Sequence, residues 1–226
     1  MPESRVQTSI AALVRLYVSR DPCLLECISR GIVNHSELAR VLASEIAVGE
    51  SYKPSIAAVK MALHRLAKQV SVDRAPKVKR ILAESALMVQ DSVTVITVPR
   101  EQMSKALSIA ASLADKSRFI QVTQGFRTAT IVIASEDAGK LLSKIGEPLE
   151  IIEDQAAIIL VSPRDIIETP GFISFLTGYL SRQGINITQI ISCYLDTIVV
   201  LDSKYASRAY RILHDLIDRL RKGPGI

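Results

Sequence analysis

The chain has 226 residues, 48% of them apolar, and a formal net charge of +5; that is length for two packed domains and too apolar for a disordered chain. No apolar run approaches the roughly 20 residues a membrane helix needs, and the opening MPESRVQTSI lacks the apolar core of a secretion signal, so the expectation is a cytoplasmic protein with no membrane partner. Three cysteines, Cys23, Cys27 and Cys193, do not make a disulfide framework at this size. The charge is unevenly spread: residues 1–90 hold 13 Lys and Arg against 8 Asp and Glu, and residues 91–226 hold 15 of each. The basic surplus therefore sits at the N-terminal end and points to a polyanionic partner there, although an excess of this size also occurs in proteins that bind no nucleic acid.

Residues 5–20 read as a helix, with Val6, Ile10, Leu13, Val14 and Tyr17 at helical spacing. Pro22 suits the first turn of a second helix over 23–30 that stops at Gly31. Cys23 and Cys27 share one face of it, and His35 follows, but no fourth ligand type stands nearby. They are read as core thiols rather than metal ligands, and no metal or cofactor is expected. Asn34 and Ser36 cap a third helix carrying Leu38, Val41, Leu42 and Ile46. After a loop over 48–54, Ser55 caps a fourth, whose stripe is Ile56, Val59, Leu63, Leu66 and Val70.

This helical series resembles a helix-turn-helix DNA-binding domain, in which the fourth helix would enter the major groove. Its solvent side would carry Ala57, Met61, His64, Arg65 and Lys68, flanked by Lys60, with Ser55 and Lys53 at its N-terminal end. Lys and Arg there suit phosphates, and His64 and Arg65 suit base edges. The seven-residue connection is longer than the three or four of the plain motif. A docking or dimerisation cap with a solvated basic face is the alternative. Residues 71–76 read as the boundary, leading into Arg74, Lys77, Lys79 and Arg80, either a phosphate-contacting wing or a solvated linker.

Strands are expected at 86–90 and 93–98 around a hairpin turn at Asp91-Ser92, then a helix from 101, strands at 118–123 and 128–134, a helix over 136–144 and a strand at 148–152. From 93 the order is βαββαβ. It recurs as a strand at 156–161, a helix capped by Thr169 with Pro170 in its first turn and ended by Gly184, strands at 186–194 and 197–201, and a helix with Ala206, Ala209, Tyr210, Leu213, Leu216, Ile217 and Leu220. The two copies define an internal duplication of roughly 63 residues, Val93 matching Ala156. The second copy lacks a fourth strand, and 86–90 or a partner chain is expected to supply it.

Thr169-Pro170-Gly171, Gly184-Ile185-Asn186-Ile187 and Val199-Val200-Leu201-Asp202 resemble an ACT domain, in the version found in aspartokinases. The resemblance implies a ferredoxin-like fold, pairing of modules, an amino-acid effector and assembly into a homodimer or higher homo-oligomer. It places the ligand at Arg164, Asp165, Ile166, Ile167, Thr169, Pro170 and Gly171, with Asn186 and Ile187. Freed amides at a helix start would hold a carboxylate and Asp165 an ammonium; the plainer reading is that Asp165 and Thr169 only cap the helix. The first copy has neither the Pro-Gly start nor the glycine before its second strand.

No phosphate loop, dinucleotide fingerprint or nucleophile elbow occurs, and His35, His64 and His214 have no metal-pair spacing; a non-enzyme is expected. The fold class is α+β: a helical, helix-turn-helix-like domain at 1–75, a linker and extra strand at 76–90, and two ACT-like modules side by side at 91–154 and 155–222. The function expected is an amino-acid-sensing transcriptional regulator that binds DNA. The alternative is a non-catalytic regulatory subunit of an amino-acid biosynthetic enzyme.

Overall fold

The computed structural model describes residues 8–50, 52–69 and 75–223, which divide into two compact units, 1–75 and 76–226. In the first unit, helices α1 (Ile10–Ser19), α2 (Pro22–Ser29), α3 (His35–Gly49) and α4 (Ile56–Gln69) each follow a polar cap. Ser9, Asp21, Asn34 and Ser55 accept hydrogen bonds from amides two or three residues on, at 2.9–3.3 Å. Each such cap is worth about 1 kcal/mol. Val14, Val18, Ile28, Leu42, Ile46, Val59 and Leu63 interlock as the core. The two cysteines are not part of it: Cys23 is exposed and Cys27 half-buried, because the buried side of α2 passes through Ile28.

The second unit opens with α5 (Ala75–Glu84) where a linker is expected. Val78, Ile81 and Leu82 are buried in a core shared with the sheet and two other helices, so the spacing of those three residues outweighs the charge between them.

Six antiparallel strands follow in the order β2-β3-β1-β4-β6-β5: β1 (Ala86–Pro99), β2 (Ile120–Gln124), β3 (Thr128–Ala134), β4 (Glu150–Val161), β5 (Gln189–Cys193) and β6 (Asp196–Asp202). The helices between them are α6 (Met103–Leu113), α7 (Ser135–Leu142), α8 (Phe172–Ser181) and α9 (Ala206–Lys222).

Asp91-Ser92 is not a hairpin turn, and 148–152 and 156–161 are not separate strands. Each pair of expected strands is one long strand, so eight become six. The reason is local: Ser92 and Asp154 take φ of 50° and 53°, and the β1–β4 register shifts beside them. Such a bulge deflects a strand without reversing it. Ala86 to Gln90 pair with Val161 to Ala157, and Val95 to Thr97 pair with Ile152 to Glu150. Residues 86–90 thus lie beside 157–161, where a further strand is expected.

Side chains alternate across this sheet. One face of the β1 and β3 end packs against α6 and α7 through Ile96, Val98, Ile131 and Ile133. The corresponding face of the β4 and β6 end packs against α5, α8 and α9 through Ile158, Leu160, Val199 and Leu201. The opposite faces of both ends meet in a single cluster, with Val93, Val95 and Val132 against Ala157, Ile191, Ile198 and Val200. Gln189 Nε2 of β5 donates to Thr123 Oγ1 of β2 at 3.2 Å. Those strands are furthest apart in the order, so the sheet curls until its two edges touch and its inner faces enclose a core.

Candidate functional site

After β4 the chain passes the buried Ser162 and makes a 3-10 turn at Arg164–Ile167 before α8. Thr169 does not cap that helix. Gly171 does, with φ of 97° and no side-chain hydrogen bond to the first turn. A Cβ at Gly171 would meet nothing within 4 Å, so backbone conformation alone demands glycine there. The helix start, whose amides take no side-chain cap, forms one wall of a pocket of about 530 Å³.

The pocket is lined by Ile166, Ile167, Thr169, Pro170, Gly171, Phe172, Ile173 and Ser174, and across from them by Ser192 and Tyr194. Five expected residues, Ile166, Ile167, Thr169, Pro170 and Gly171, are therefore brought together. Four line no part of it. Arg164 is exposed, and Asp165 is held in an ion pair by Arg80 of α5. Asn186 is exposed ahead of β5, which begins at Gln189 rather than at 186, and Ile187 packs into the helix-side core. Ser192 and Tyr194 come from the end of β5 and its turn into β6; nothing near Thr169 in sequence announces them.

In the helical unit, Ser55 caps α4, with Ala58 N–H donating to its Oγ at 3.2 Å. Lys53, Met61, His64, Arg65 and Lys68 are exposed and Lys60 is half-buried. No acidic residue lies on α4, and among the described residues neither Lys53, Lys60, Arg65 nor Lys68 forms an ion pair. Arg74 lies outside the described residues. Lys77, Lys79 and Arg80 stand on α5, in the second unit, rather than on a linker.

His64 is not a free surface group: its Nδ1 lies 3.1 Å from Nδ1 of His35, the first residue of α3. One proton serves both nitrogens. Burial first, then the charges of His64 and Lys60, push the His35 imidazole below its ordinary 6.5. A lowered histidine stays neutral in the folded unit while the unfolded chain takes up a proton. Its contribution is therefore present above pH 6.5 and is lost as the pH falls below that value. We expect the urea midpoint of the helical unit to decline below pH 6.5, and a His35→Asn variant to lose that part of the decline; identical profiles would contradict it.

Two other pockets are present. One of about 640 Å³ lies in the helical unit among Tyr17, Leu24, Leu38, Val41, Glu45 and Val48. Another of about 490 Å³ lies between β1 and α9 at Val89, Asp91, Tyr210 and His214. Among the described residues no group of three or more His, Cys, Asp or Glu is placed to hold a metal, and no helix is long and apolar enough to cross a membrane.

The 530 Å³ pocket lies wholly within a stretch that a family model recognises. Residues 150–215 match the ACT domain. That ACT stretch runs from β4 through α8, β5 and β6 into α9. No curated protein matches the chain. Similar solved structures include aspartokinase alpha and beta subunits, 16% identical over 59% of this chain and 98% of that one, with a TM-score of 0.49. The ligand-free regulatory subunit of aspartate kinase from Thermus thermophilus is 20% identical over 57% of this chain and 95% of its own, with a TM-score of 0.45. Aspartate kinase from Clostridium acetobutylicum is 17% identical over 58% of this chain, with a TM-score of 0.48; the chain spans only 34% of that enzyme's length.

Proposed function

We propose that the chain is a non-catalytic, ligand-responsive regulator. Its sheet unit is a pair of ACT modules, one formed by residues 91–154 and the other by 155–222 with 86–90. The second module binds an amino-acid effector in the pocket at 166–174, 192 and 194. The observation that carries this is the coincidence of the pocket with the ACT-matching stretch. A helix start whose first amides take no side-chain cap supplies donors for the effector's carboxylate. Modules of this kind would join two or more copies of the chain.

The helical unit is then the output, and its partner is DNA. Lys53, Lys60, Arg65 and Lys68 reach solvent from one helix and its approach with no acidic residue beside them on α4; unneutralised cations in a row suit a phosphate backbone. Mobility shifts on genomic fragments across salt concentrations test this. Neutralising about four to five phosphates gives a log-log slope near −4, and replacing Lys60, Arg65 and Lys68 by alanine is expected to lower its magnitude by about 3. Absence of binding at low salt would remove the DNA arm.

A second reading, a regulatory subunit that docks on an amino-acid biosynthetic enzyme, is favoured by the apolar groove of the helical unit, where Val41 and Val48 remain exposed. Co-purification with such an enzyme, together with indifference to nucleic acid, would decide for it.

A further inference from the structure

Tyr194 carries a cost that folding does not return. It is the first residue of the two-residue turn between β5 and β6, and its φ of 55° lies in the left-handed region. An L side chain is strained there and glycine is not. The residue is 69% exposed and belongs to none of the core clusters. Among the described residues it stacks on no other aromatic ring. Tyr194 instead lines the pocket, together with Ile166, Ile167 and Ile173.

The charge of the pocket is equally specific. None of its lining residues is ionisable at neutral pH: the polar ones are hydroxyls and the rest are apolar. Of the two acidic residues in the loop, Asp165 is ion-paired with Arg80, and Glu168, exposed between Ile167 and Thr169, is not among the residues that line the pocket. An ε-ammonium or a second carboxylate entering here would leave water without a charged partner, whereas an apolar side chain gains by the same transfer. We infer that this pocket selects an α-amino acid with an uncharged, apolar side chain, and that Tyr194 is the specificity-determining residue that covers that side chain. The inference rests on reading the pocket as the effector site.

Calorimetry and thermal shift on the full chain test it, with L-leucine, L-isoleucine, L-valine, L-phenylalanine, L-lysine and L-aspartate as probes. At least one of the four apolar amino acids is expected to bind 10-fold or more tightly than lysine or aspartate. Tyr194→Gly is expected to weaken that binding at least 10-fold while the ligand-free Tm stays level or rises, because glycine relieves the turn; Tyr194→Phe is expected to keep it. Binding of lysine or aspartate alone would overturn the selectivity and leave the effector site standing. Apolar binding that Tyr194→Gly leaves intact would overturn the role of Tyr194. No binding by any of the six would overturn both this inference and the effector site.

Discussion

Replacing Leu82 by alanine is expected to destabilise the sheet unit by about 2–5 kcal/mol, the range for truncating a fully buried leucine whose neighbours only partly close the space. Leu82 is completely buried among Ile158, Leu160 and Leu213, with Ile81 and Val78 from its own helix. The end of α5 is held in place besides. Arg221 Nε donates to the carbonyl of Ala83 at 2.7 Å and its Nη2 to that of Ser85 at 2.9 Å, satisfying carbonyls that a helix end leaves open. Ser85 Oγ meets Ser162 Oγ at 2.9 Å in the interior. The side chain therefore has little freedom to reposition and fill the space. In a unit of this size the loss corresponds to a fall in Tm of about 5–15 °C, measurable by calorimetry. A change within about 0.5 kcal/mol, the usual result at a surface position, would mean that α5 is only a tether.

Gln155→Leu is expected to cost about 1–3 kcal/mol although the two side chains are similar in size, because the loss is polar. Gln155 is buried on the inner face, where its Oε1 accepts from Thr188 Oγ1 at 2.7 Å and its Nε2 donates to the carbonyls of Glu153 and Asp154 at 3.0 and 3.3 Å. The latter two belong to the deflection in β4, so this one amide fastens the bulge to the segment ahead of β5. Denaturant unfolding should show a lower midpoint at unchanged slope, with faster amide exchange near residue 154. Gln189→Ala, which removes only the link between the outer strands, should cost less. Wild-type stability in Gln155→Leu would show that packing alone holds the bend.

What was legible in the chain was mostly local. Asn34 and Ser55 announce helix starts because a cap involves one side chain and the amides two or three residues on; at α2 the sequence offers Pro22, and the cap itself is Asp21. Thr169-Pro170-Gly171 marks a helix start for a similar reason, although the glycine's conformation rather than the threonine's hydroxyl makes the turn. The strand count was not legible. Asp91-Ser92 suits a reversal and a bulge equally, and the choice is made by β4, some sixty residues later. Val78, Ile81 and Leu82 have helical spacing, yet Lys77, Lys79 and Arg80 between them give the segment the composition of a solvated linker. At the pocket, Ile166 and Ile167 are near neighbours of Gly171, whereas Ser192 and Tyr194 arrive by way of the sheet. The meeting of His35 with His64 depends on the packing of α3 on α4, which neither helix's own pattern specifies.

The division of β1 between two pairing partners imposes a schedule on synthesis. Residues 86–90 leave the ribosome before the four strand segments over 93–155, yet their own partner at 157–161 is made only after all four. At about 5–20 residues per second, an apolar edge containing Leu87, Met88 and Val89 waits several seconds for it. During that interval a second nascent chain offers the same complement, which makes high expression the condition under which exchange of this strand between copies is to be looked for.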